Sequence, residues 1–159
     1  MKIALLFLLL ALLLVFFQDW KYRRIHVLLP FGIFIVSGYI TFSNPLGLKN
    51  VALNAAFFLV TLSILVLYMS IKNKGFLNPF KHYFGLGDLL FYIGITPLFI
   101  LPNFILFFIL SMIFALLLQT SLKRFINVNT VPLAGFAALF LCIVLIKDFC
   151  SFYQKITLI

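Results

Sequence analysis

The chain has 159 residues, of which 65% are hydrophobic and 9% charged, with 22 phenylalanines and a mean hydropathy of +1.27. About 25% charged residues is ordinary for a water-soluble domain. The composition therefore excludes a soluble enzyme, a disordered chain and a secreted disulfide scaffold, and leaves an integral membrane protein built almost wholly of spans. Lys and Arg total 12, Asp and Glu 3, for a formal net charge of +9. The basic residues stand in small clusters between apolar runs, as in cytoplasmic loops rather than in a nucleic-acid-binding face.

In chain order, the charged residues separate five uncharged runs: Ile3–Gln18, Ile25–Leu48, Asn50–Ile71, Leu89–Leu122 and Phe125–Ile146. A hydrocarbon core of ~30 Å takes about 20 helical residues. The first run is shorter than that, which predicts that Asp19 is drawn beneath the headgroups. The fourth is too long for one crossing, and Pro97, Pro102 and Asn103 mark a turn within it. The expected architecture is all-α: a single six-helix membrane domain over residues 1–159, without a separate soluble domain.

Loop charges set the expected orientation. With the N-terminus outside, the inner loops carry Lys21, Arg23, Arg24, Lys72, Lys74, Lys81, Lys123 and Arg124, and the outer side carries Lys2, Lys49, Lys147 and Lys155. The positive-inside rule then places both termini outside. The start, Met-Lys before an apolar run, has the look of a signal peptide, but no small-x-small cleavage site precedes Asp19. A retained first helix is expected. The Leu-rich stretch Leu5–Leu14 reads as lipid-facing or packing surface.

The acidic residues narrow the chemistry. The chain has no Glu, and its carboxylate side chains are Asp19, Asp88 and Asp148. In the expected topology Asp19 follows the first span and Asp88 opens the fourth, so both face the cytoplasm. With a fourth helix starting near Tyr83, Asp88 lies about five residues, or ~8 Å, inside it, and an ionisable group at that depth points to function. Gly85-Leu86-Gly87 directly precede it. Two glycines allow close backbone approach and unwound geometry, leaving room for an extended substrate strand. Two carboxylates sharing a site hold one proton between them. The ionised member activates a water, and the protonated one polarises a scissile carbonyl. The competing reading pairs Asp19 with Arg23 at a helix end and makes Asp88 a helix N-terminal acid stabilised by the macrodipole.

Asp19-Trp20-Lys21-Tyr22-Arg23-Arg24-Ile25 resembles the first motif of the type IV prepilin peptidases, in which an Asp at the cytoplasmic end of the first span precedes a basic stretch and Ile-Pro-Asn. Gly85-Leu86-Gly87-Asp88 resembles their Gly-x-Gly-Asp motif, and Val131-Pro132-Leu133-Ala134-Gly135, more loosely, the start of their last span. Six spans at this length fit the small members that lack the zinc-binding loop. The resemblance implies an intramembrane aspartic endopeptidase of the cytoplasmic membrane in a type IV pilus system. It would cleave the basic leader of prepilin-like substrates at the cytoplasmic face. It makes Asp19 and Asp88 the catalytic pair, with Gly85 and Gly87 shaping the site and neither metal nor cofactor. The sequence departs from the family at Ile25-His26-Val27, where Ile-Pro-Asn is usual, and at Leu89-Leu90, where Val-Lys often follows. A non-catalytic subunit of the same fold and a small proton- or cation-coupled transporter with Asp88 as its site are the alternative functions.

The remaining polar residues read as structural. His26 and His82 are interfacial, with His26 near enough in sequence to tune Asp19 and His82 to contact a leader. Trp20, Tyr22 and Tyr83 are interface anchors. Lys21, Arg23 and Arg24 set topology and bind lipid phosphates; they would repel a basic leader. Asp148, beside Lys147, is structural. Ser63, Ser70 and Ser111 have no His or Lys at nucleophile spacing, and Cys142 and Cys150 are read as core thiols.

Overall fold

The computed structural model describes residues 2–41, 47–72, 85–122, 131–150 and 156–157. Over those residues the chain is helical, with helices α1 (Lys2–Tyr22), α2 (Leu28–Thr41), α3 (Gly47–Lys72), α4 (Leu86–Gly94), α5 (Leu101–Leu122) and α6 (Leu133–Cys150), and a 3-10 turn over Thr96–Leu98. No strand occurs among the described residues. The all-α, membrane-type architecture expected from the sequence is the one found. Four helices, α1, α3, α5 and α6, are long and apolar enough to cross a membrane. The other two are shorter. The 14 residues of α2 extend about 21 Å at the helical rise.

The apolar pattern of each helix decides which face turns inward. On α1, Leu8, Leu12 and Val15 are fully buried while Leu6, Leu10, Leu13 and Leu14 are exposed. The buried set repeats at helical spacing, and its next member is Asp19. On α4 and its C-cap the inward stripe is Asp88, Phe91, Tyr92 and Ile95, the last three fully buried. Both acids thus stand at the head of a packed stripe. On α6 the inward face is built of Ala134, Ala137, Ala138, Leu141 and Leu145. Small residues at its start let α1 approach closely, which matters where packing rather than water exclusion joins helices. Its most extensive contact is with α1.

The break between α4 and α5 is a second consequence of sequence. Pro97 lies in the 3-10 turn and Pro102 in the first turn of α5, where a missing N–H does least harm. The break frees backbone carbonyls in an apolar interior, and they need donors. Asn54 of α3, fully buried, supplies them: its Nδ2 donates to the carbonyls of Thr96 at 2.9 Å and Phe99 at 2.7 Å. Ser37 of α2 donates to the carbonyl of Gly94 at 3.2 Å. A Cβ at Gly94 would lie 2.8 Å from the carbonyl oxygen of Pro30, so glycine permits that α2–α4 contact. Asn54→Leu is expected to strand both carbonyls and to lower stability by about 1–3 kcal/mol, read as an earlier unfolding transition in mixed micelles.

Three expectations require correction. The first helix is not the short 16-residue run: it continues through Asp19 to Tyr22, because a charged residue at an interface does not stop a helix. The fourth helix begins at Leu86 with Gly85 as its N-cap. Asp88 is therefore in its first turn, not five residues inside. Of the two thiols, Cys142 is buried but Cys150 is exposed, since the last turn of α6 turns that position away from the bundle. His82 and Tyr83 lie outside the described residues.

Candidate active site

Asp19 and Asp88 meet at one place, the N-terminus of α6. The first residues of a helix carry N–H groups with no partner inside the helix. Here the amide of Ala134 donates to Asp88 Oδ1 at 2.8 Å, and the next amide, of Gly135, donates to Asp19 Oδ2 at 2.7 Å. Two consecutive backbone donors thus hold carboxylates from two helices distant in sequence. The positive end of the α6 dipole favours negative charge at this point. The carboxylates are close enough to interact electrostatically. Asp19 is buried, 6% exposed, while Asp88 is half-buried and lies beside exposed Gly85. Asp88 is thus the more solvent-accessible member of the pair.

Asp88 also caps its own helix. Its Oδ2 accepts the Gly85 amide at 3.2 Å, the reciprocal arm of a capping box. Gly85 sits at φ −71°, ψ 140°, ordinary extended backbone, so the glycines do not provide unwound geometry here. Their value is steric. A Cβ at Gly85 would stand 3.0 Å from Asp88 Oδ2, and one at Gly87 would stand 3.1–3.3 Å from the Ile25 side chain. The space beside Gly87 is thus filled by Ile25 rather than left open for a substrate strand. At Gly135 a Cβ would stand 3.0 Å from Asp19 Cβ and 3.4 Å from the Phe16 carbonyl oxygen, so this glycine sets the closeness of α1 and α6. Trp20 packs edge-on against Phe136 of α6, ring centroids 5.7 Å apart. It belongs to the same seam, whereas Tyr22 is exposed beneath Lys21.

The turn after α1 is strained. Arg23 has φ 54°, the one non-glycine residue in the left-handed region among those described, and its amide donates to the Asp19 carbonyl at 3.1 Å. A non-glycine side chain there costs roughly 1–2 kcal/mol. The Asp19–Arg23 ion pair of the competing reading is not formed as a direct contact: among the described residues the ion pair is Lys147–Asp148. The His26 amide donates to Gln18 Oε1 at 3.1 Å, and its Nδ1 faces the Leu28 amide at 3.4 Å. His26 thus shapes the entry to α2 from an exposed position.

The third carboxylate lies at the other end of α6. Asp148 Oδ2 accepts from the amides of Ile156 and Thr157 and from Thr157 Oγ1, at 3.0, 2.7 and 2.8 Å. Asn103 Nδ2 donates to the Ile156 carbonyl at 2.6 Å. This cluster ties Ile156 and Thr157 to the starts of α5 and the end of α6, the structural role expected of Asp148. Ser111 accepts or donates in a 2.8 Å bond with Tyr92 OH, a buried link between α4 and α5. Among the described residues no group of three or more His, Cys, Asp or Glu side chains has metal-binding geometry.

The parts of the site that the sequence reading overlooked are the amides of Ala134 and Gly135 and the backbone of Arg23. The available signal was Pro132 followed by small residues, a helix-start pattern. No family model, curated protein or solved structure matches the chain.

Proposed function

We propose that the protein is an intramembrane aspartic endopeptidase that removes the leader of prepilin-like substrates at the cytoplasmic face of the inner membrane. The observation that carries this reading is the convergence of Asp19 and Asp88 on consecutive amides of α6. Like charges this close share one proton over a wide pH range. The ionised carboxylate takes a proton from a water whose oxygen attacks the scissile carbonyl carbon. The protonated carboxyl hydrogen-bonds to the carbonyl oxygen and delivers its proton there. The resulting gem-diol collapses as the first carboxyl protonates the leaving nitrogen, and a diol proton returns to the second carboxylate. Water and peptide become acid and amine with no covalent enzyme intermediate.

A substrate with an apolar helix would stay in the bilayer and present its leader junction to the Asp88 side, where exposure is greater. Exposed Lys21 and Arg24 on the same rim suit the cytoplasmic surface and anionic headgroups. The second reading, a non-catalytic subunit of the same fold, is favoured by one observation: Asp88 already caps its own helix through Gly85. The test is processing of a prepilin-like substrate by the purified protein in liposomes, with the products identified by mass. One cut at the junction of leader and apolar helix supports the proposal; an intact substrate over a broad pH range favours the non-catalytic reading.

A further inference from the structure

We propose that Ile25 is a specificity-determining residue: its side chain, seated on Gly87, limits the size of the substrate side chain that can lie beside the scissile bond. The proposal rests on the aspartic-protease reading and deepens it by naming one wall of the substrate site.

Ile25 is fixed relative to both acids. Helix α1 ends at Tyr22 and α2 starts at Leu28, so Ile25 stands midway along the connection between them. On one side of it the Arg23 amide donates to the Asp19 carbonyl at 3.1 Å, and on the other the His26 amide donates to Gln18 Oε1 at 3.1 Å. Both anchors belong to the end of α1 that carries Asp19. The side chain, in turn, is fitted to the helix that carries Asp88. A Cβ at Gly87 would lie 3.1 Å from Ile25 Cδ1, 3.2 Å from its Cβ and 3.3 Å from its Cγ1, closer than carbon atoms settle at contact. Glycine at 87 thus admits Ile25 onto the first turn of α4, one residue before Asp88.

The neighbours of Ile25 in the connection are placed differently. Arg24, His26 and Val27 are exposed, whereas Ile25 is half-buried and packs on the apolar core. Gly87 and Asp88 are half-buried as well, and Gly85 and Leu86 beside them are exposed. Around the accessible acid, α4 therefore offers two residues without side chains, Gly85 and Gly87, and the α1–α2 connection offers one branched apolar side chain. Successive residues of an extended peptide are ~3.3–3.6 Å apart, so a scissile carbonyl at Asp88 brings its flanking side chains to the position of Gly87. That space already holds the Ile25 side chain. A small flanking residue fits beside it, and a large one collides with a side chain that is tethered on both sides.

The test is kcat/KM of the liposome-reconstituted protein for prepilin-like substrates that carry Ala or Leu just before the scissile bond and, in a second series, just after it. Wild type is compared with Ile25→Val and Ile25→Ala. At one of the two positions the Leu-to-Ala ratio of kcat/KM is expected to rise about ten-fold in Ile25→Val, which removes Cδ1 alone, and further in Ile25→Ala. Valine keeps the branched Cβ and most of the packing, so Ile25→Val carries the test where Ile25→Ala does not fold. A residue that only packs would change kcat/KM for all substrates alike. Ratios left at the wild-type value at both positions, in a protein that cleaves, would therefore overturn the proposal and leave the protease reading standing. A wild-type protein that cleaves none of the substrates is a different failure, that of the protease reading itself, and the proposal falls with it.

Discussion

Asp19→Asn and Asp88→Asn are each expected to lower leader cleavage by about 10³-fold or more, with the protein still inserting and packing. Asparagine keeps the shape and one acceptor oxygen of each side chain. The amides of Ala134 and Gly135, which now donate at 2.8 and 2.7 Å, therefore retain partners. What is lost is the ability to exchange a proton. Either single change removes a function the other acid cannot supply, so the double variant is expected to be no worse than the singles. Such non-additivity marks groups that act as one unit. Quantitative immunoblots of product over time, normalised to protein inserted, measure the effect. Near wild-type cleavage by either variant would remove that acid from the chemistry. A transporter with Asp88 as its site would predict no cleavage by the wild type and an Asp88-dependent flux instead.

Gly135→Val is expected to lower kcat by about 100-fold, with Gly135→Ala between it and wild type, because reacting groups displaced by ~1 Å lose about that much. The effect follows from one contact. A Cβ at this position would stand 3.0 Å from Asp19 Cβ, an atom fixed to the α1 backbone, and 3.1 Å from Asp19 Oδ2. Valine adds two methyl groups in the same place, so α1 and α6 must separate and Asp19 leaves the amide that holds it. The apolar seam of Leu8, Leu12 and Leu141 beyond it keeps the helices associated. The loss should therefore fall on kcat far more than on the amount of folded protein, as assayed by thermal unfolding in detergent. A Val variant with wild-type kcat would show that the spacing at this seam does not align the pair.

These expectations depend on features that differ in how far they could be read from the residues alone. The membrane class and the helical elements are written in the long uncharged runs. The break near Pro97 and Pro102 is written in residues that cannot donate a backbone hydrogen bond. Asp19 and Asp88 were legible as candidates because carboxylates are so few in this chain. Their meeting depends on two unpaired backbone amides at the start of α6, for which the sequence offers only the helix-start signal of Pro132. The register of Asp88 is set by cap geometry, here Gly85, and hydropathy does not carry it. The space at Gly87 is not legible in the sequence, since its occupant, Ile25, is 62 positions away in the chain. Asn54 gave no signal at all: a lone amide in an apolar run shows its purpose only when the carbonyls of the broken helix are placed beside it.

The pairing of the two acids can be measured directly by infrared titration of carboxyl protonation in the reconstituted protein. The chain has three carboxylate side chains and no Glu, and Asp148→Asn removes the one outside the site. The structure leads us to expect two coupled protonation steps from Asp19 and Asp88, with replacement of either acid by asparagine shifting the step of the other. Two independent steps, each left in place when its neighbour is replaced, would mean that these carboxylates do not share a site.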